Sequence, residues 1–68
     1  MIYVDKRGWA FRVMHGLGGV WKARYNKKGI DAATGWRGVN NLSYRENKED
    51  AEHDLAEYAA KRDMKALK

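Results

Sequence analysis

The sequence predicts a small α+β domain, a three- or four-stranded antiparallel sheet packed on one C-terminal helix, and three observations carry that expectation. No Gly or Pro interrupts residues 48–68, where apolar side chains recur at helical spacing. All seven glycines fall earlier, between short segments that alternate in polarity as half-buried strands do. The chain has 68 residues and no cysteine. That suffices for a single domain over 1–68 whose sheet and helix hold each other by packing rather than by disulfides.

The helix is expected from about residue 48 to 65. Asn47 is a good N-cap, and Asp50 three residues later completes a capping-box-like arrangement. Glu49, Asp50 and Glu52 lie near the positive end of the helix dipole, and Lys61, Arg62, Lys65 and Lys68 near its negative end. Ala51, Leu55, Tyr58 and Ala59 form one buried stripe, which the stem of Arg62 and Ala66 extend.

In the segment Trp9 to Met14, Trp9, Phe11 and Val13 share one face and Arg12 takes the other. Gly16, Gly18 and Gly19 then permit the positive φ angles of a hairpin turn. Along Val20 to Tyr25, Trp21, Ala23 and Tyr25 point inward while Lys22 and Arg24 point outward. Asn26 to Gly29 reads as a turn, and residues 30–35 as a connection, either a loop or a short helical turn. The last strand is expected from about Trp36 to Tyr44, with Leu42 and Tyr44 toward the helix and Arg37, Asn41 and Ser43 on the opposite face. Ile2 to Val4 adds a short edge strand through the Asp5–Gly8 turn. A slip of one residue in any strand exchanges its two faces.

The formal net charge is +5 and it is unevenly spread. Residues 1–45 hold nine Lys/Arg and two acids, a balance of +7, whereas residues 46–68 hold five bases and seven acids, a balance of −2. A polyanionic partner for the sheet-forming part follows from that asymmetry. The outward cluster Arg12, Lys22, Arg24 and Arg37, with Asn41 and Ser43 beside it, suits phosphate contacts with some base contacts if the sheet enters the major groove of duplex DNA; the turn lysines Lys27 and Lys28 join that DNA-binding set. Trp9 and Trp21 have the parity of core residues, while Trp36, at a loop–strand junction, is the ring most available for stacking on single-stranded bases.

The sequence carries no catalytic, metal-ligating or cofactor-binding constellation, so an enzyme is not expected. His15 and His53 are far apart and have no Cys partner. Ser43 and Thr34, the only hydroxyl residues of their kinds, lie outside any elbow motif. The Gly16–Gly19 stretch lacks the lysine and helix of a phosphate loop. No apolar run approaches membrane-spanning length, and Asp5, Lys6 and Arg7 interrupt any leader-like start, which makes the cytoplasm the expected location.

The order of these segments carries a resemblance. An aromatic strand, a glycine turn, Val20-Trp21-Lys22-Ala23-Arg24-Tyr25, Asn26-Lys27-Lys28-Gly29, and then Tyr44-Arg45-Glu46-Asn47-Lys48-Glu49-Asp50-Ala51-Glu52 entering a helix together resemble the N-terminal arm-binding domain of phage and transposon tyrosine integrases. Plant ethylene-response-factor domains share that three-strand-plus-helix layout. The resemblance spans roughly residues 9–62. It implies that the sheet face away from the helix lies in the major groove, with Lys22, Arg24, Arg12 and Arg37 at the DNA, in a phage or mobile-element accessory protein. The rival expectation is a protein–protein module, such as a small phage-encoded regulator or inhibitor of a host protein, using Tyr3 and Trp36 and setting its basic face on an acidic patch.

Overall fold

Alternation along two six-residue strands sets the architecture. In the computed structural model, which describes residues 1–67, β2 (Ala10–His15) and β3 (Trp21–Asn26) pair antiparallel from Ala10↔Asn26 to His15↔Trp21. A 3-10 turn over Leu17–Gly19 joins them, with Gly18 and Gly19 at φ of 76° and 74°. β1 (Ile2–Val4) lies along β2, and the two-residue β4 (Arg37–Gly38) lies along β3. A fifth strand, β5 (Lys65–Leu67), pairs outside β1, so the antiparallel sheet has the order β4-β3-β2-β1-β5. The helix α1 (Lys48–Lys61) packs across β2 and β3 on one face.

Directly paired residues share a face, so the register can be read as layers. Tyr3, Phe11 and Tyr25 form one row on the helix side, and Val13 and Ala23 form the next. Ala51, Leu55 and Ala59 meet them from α1, with Leu55 completely buried. The two alanines let the helix lie close to the sheet, and Leu55 fills the space between, a burial that stabilises by about 1.5–3 kcal/mol. The expected stripe is therefore present over Ala51, Leu55, Tyr58 and Ala59. Phe11 links the layers through ring contacts to Tyr25 and Tyr58 at 6.0 and 6.1 Å.

The helix starts where expected. Asn47 Oδ1 accepts the Asp50 N–H at 2.8 Å, and Asn47 Nδ2 donates to the Asp50 carboxylate at 3.1 Å. It ends earlier than expected. Met64 N–H donates to Ala59 C=O and Asp63 N–H to Ala60 C=O, the hydrogen-bond pair of a Schellman motif, with Asp63 at φ 59° in the left-handed position glycine usually takes. That reversal turns the following residues back along β1, so Ala66 lies in β5 instead of extending the helical stripe.

The expected strand from Trp36 to Tyr44 is also corrected. Only Arg37 and Gly38 pair as a strand; Val39 N–H donates to Ala23 C=O, and Leu42 N–H to Val39 C=O closes a turn through Asn40 and Asn41. Two consecutive asparagines favour that turn, and the chain rejoins β3 through a single bridge, Trp21↔Arg45. Val39 is buried and Leu42 packs against the same core.

Residues 27–36 fold back over the Ala10 end of the other sheet face. Asn26, only 2% exposed, organises this segment: its Nδ2 donates to Thr34 C=O at 2.8 Å, and its Oδ1 accepts the Lys28 N–H at 2.8 Å. Trp36 closes the loop on itself, donating its indole N–H to Ala32 C=O at 3.0 Å.

Asp63→Gly relieves a left-handed non-glycine residue at the helix stop and is expected to stabilise the fold by about 0.5–1 kcal/mol. A domain of this size gains roughly 4–8 °C in Tm per kcal/mol. A thermal melt showing no gain or a loss would contradict that account of the helix end.

Candidate functional site

The sheet face away from α1 is built from three cross-strand rows. Lys65, Val4, Ala10 and Asn26 form the first, Leu67, Ile2, Arg12, Arg24 and Gly38 the second, and Met14 with Lys22 the third. Residues 27–36 fold over the Asn26 end of the first row, where both Ala10 and Asn26 are buried. The second and third rows, with Lys65 at the far edge of the first, hold the exposed chemistry.

Arg12 and Arg24 are direct cross-strand partners, with Lys22 on the same face one step along β3. The Arg12 guanidinium leans toward Trp36, 5.9 Å from its ring centroid. Lys22 lays its stem over β4 and brings Nζ to 4.5 Å from the Tyr44 ring. Gly38 makes this possible, since a Cβ there would sit 3.1 Å from Lys22 Cε. Arg24 turns the other way, its Nη2 3.9 Å from where a Cβ on Gly16 would lie, beside the hairpin tip. The three cationic heads thus spread from Trp36 to the hairpin tip.

Acidic partners lie elsewhere. The ion pairs among the described residues are Met1–Glu52, Arg7–Asp5, Arg45–Asp54 and His53–Glu57, and none includes Arg12, Lys22 or Arg24. Like charges placed directly across strands destabilise a sheet, so this face concentrates positive charge without local relief.

Of the seven residues expected at DNA, Arg12, Lys22 and Arg24 meet on this face and four do not. Arg37 pairs with Tyr25 and so stands on the helix side. The cause is Val39, the one β-branched residue between Trp36 and Tyr44, which enters the core beside Ala23 and gives its own parity to Arg37. Asn41 lies in a depression against α1, bordered by Asp54, Tyr58 and Arg62. Lys27 carries its Nζ to 5.0 Å from the Trp9 ring on the helix side, and Lys28 sits in the turn clamped by Asn26.

Tyr44, expected toward the helix, is 57% exposed and borders the open face. The bridge at Arg45 explains it. Arg45 aligns with Trp21 on the helix side, where its guanidinium donates to both Asp54 oxygens at 2.7 and 3.1 Å, and Tyr44 is left on the other. Ile2, Val4, Met14 and Leu67 form an apolar margin of the same face that the sequence reading did not single out. The shared parity of Ile2 and Val4 in the edge strand is the sequence signal for part of it.

Two carboxylates are tuned by their partners. Hydrogen bonds from Arg45, reinforced by its charge, hold the Asp54 carboxyl below the usual aspartate range. At Asp5, burial pushes the carboxyl up, but hydrogen bonds from the Arg7 side chain and from the Trp9 and Arg7 N–H groups outweigh it and leave it lowered. Among the described residues no group of His, Asp and Glu side chains is arranged to hold a metal ion, and no helix is long and apolar enough to cross a membrane.

A carboxyl whose folded pKa lies below its unfolded value, about 3.9, binds protons more weakly when folded. Its stabilisation is present above that value and disappears as pH falls through the folded pKa. Stability is therefore expected to fall in acid below about pH 4. Asp54→Asn should lower stability at neutral pH and flatten the acid limb; thermal melts from neutral pH to pH 2 check this, and a variant profile parallel to the original would remove Asp54 from the account. Comparison of the chain with known protein families, with characterised proteins and with solved structures finds no match.

Proposed function

We propose that this protein is a small DNA-binding module that lays its open sheet face on duplex DNA. The observation that carries the reading is the cross-strand pair Arg12 and Arg24 with Lys22 beside it, three cations on one face with no carboxylate paired to them among the described residues. A phosphate backbone supplies the missing counter-charge, and its displaced counterions supply the driving force. The planar guanidinium groups can grip phosphates in pairs of hydrogen bonds, and Trp36 and Tyr44 at the borders offer ring surface to sugars and bases. The resemblance to integrase arm-binding domains points to the same face. Lys27, Lys28, Arg37 and Asn41 are not part of the proposed contact.

A second reading rests on a separate observation. Ile2, Val4 and Leu67 make an apolar stretch at the β1–β5 end of the face beside Lys65, with Leu67 38% exposed. An apolar margin bordered by cations also suits an amphipathic acidic segment of a protein partner.

Fluorescence anisotropy with a labelled random-sequence duplex distinguishes them. Three phosphate contacts predict about 40-fold weaker binding when salt rises from about 50 to about 200 mM. Each Ala substitution at Arg12, Lys22 or Arg24 should make the salt slope shallower by roughly one. Leu67→Ser should leave duplex affinity unchanged. Binding that survives all three Ala substitutions together would overturn the DNA face, and absence of duplex binding at low salt would leave the protein-partner reading.

A further inference from the structure

Three of the residues that leave the open face come together again. Lys27, Lys28 and Arg37 line one depression at the end of β3, bordered by Tyr25, Asn26 and Gly35. Arg37 arrives there because it pairs with Tyr25. Lys27 arrives because its ammonium lies over Trp9, whose ring stacks on Tyr25 at 5.6 Å and 13°.

The depression is held in shape by a group that is not one of its cations. The buried Asn26 amide bonds the Lys28 N–H on one side and the Thr34 C=O on the other, tying the lysine turn to the segment that leads into Arg37. Gly35, at φ 93°, lies beside that amide; a Cβ there would be 3.5 Å from Asn26 Nδ2, in ordinary contact. None of the three cations takes part in the ion pairs of the described residues. Three cationic residues thus border one pre-formed concavity.

We propose that this depression is a phosphate site, distinct from the open sheet face, that takes a phosphate dianion or monoester. Two ammonium groups and a guanidinium match a tetrahedral group with several oxygens and two negative charges. A lone carboxylate would leave most of that positive charge uncompensated. The group can come from free phosphate or from the terminal phosphate of a nucleic-acid strand, and the proposal does not rest on DNA binding by the open face.

The test is an NMR amide-shift titration of the full chain with inorganic phosphate against chloride at equal ionic strength, near pH 8. Saturable shifts confined to residues 25–29 and 35–37 are expected. The Lys28→Ala, Arg37→Ala double variant, which alters only exposed side chains, should bind at least ten-fold more weakly. The Arg12→Ala, Arg24→Ala double variant should bind phosphate as before, so a failure of this site and a failure of the DNA face are told apart. Shifts spread without saturation over the whole basic surface, or phosphate binding unchanged in the Lys28/Arg37 double variant, would overturn the proposal. A 5′-phosphorylated trinucleotide identifies the source. Binding ten-fold tighter than its 5′-hydroxyl counterpart and than inorganic phosphate assigns the site to a strand end; affinity equal to that of inorganic phosphate assigns it to the phosphate group alone.

Discussion

Leu55 lies fully buried between Ala51 and Ala59, in one cluster with Phe11, Val13 and Ala23. Side chains alternate along a strand, so this contact decides more than core packing. Once Phe11 and Val13 turn toward the helix, Arg12 must turn away; once Ala23 does, Lys22 and Arg24 must turn away as well. The open face is therefore a consequence of the core. A one-residue slip of β2 would bury Arg12 under α1 without a partner, at a cost far above that of any surface contact, so the register that packs the core also protects the grouping of the cations.

The same logic accounts for what could be read from the sequence. Trp9 to Met14 and Val20 to Tyr25 alternate long enough that only one parity buries the rings, and both strands, their hairpin and the stripe on α1 follow from it. The segment after Trp36 has no such pattern. Its one β-branched residue, Val39, is followed by two asparagines that bend the chain, and a strand of two residues leaves no alternation to read. Arg37, Asn41 and Tyr44 went to the wrong sides for that reason alone. β5 was hidden differently. Lys65, Ala66 and Leu67 are good helix formers, and the stop before them is an aspartate in a left-handed conformation, where glycine would have announced the reversal.

Asn26 is the second constraint on the surface. It occupies an open-face position by parity, yet it is buried, because residues 27–36 fold over it. Both of its amide groups are satisfied, which is the condition for a polar side chain to be buried at all. Its position separates two groups of cations. Arg12, Lys22 and Arg24 stay on the sheet, and Lys27, Lys28 and Arg37 collect around the depression beyond it. What composition presents as one basic half of the chain includes, in three dimensions, two separate groups of three facing different ways, with Arg7 and Arg45 paired to acids elsewhere.

The acids complete the electrostatic picture. Glu49, Asp50 and Glu57 are exposed on α1, on the far side of the sheet from Arg12, Lys22 and Arg24. At the helix N-terminus Glu49 and Asp50 complement the dipole, so their placement has a local cause that is independent of any partner. The open face therefore groups cations with no acid paired to them among the described residues, whereas the helix side holds these acids together with Lys27, Arg37 and Arg45. In the field of a polyanion the open face is attracted, and the acids of α1 disfavour docking by the helix. The +7 and −2 halves of the sequence do not map onto the two faces, since Lys27, Arg37 and Arg45 stand on the helix side. What serves the proposed function is the smaller set Arg12, Lys22 and Arg24, which the helix packing leaves together on the open face.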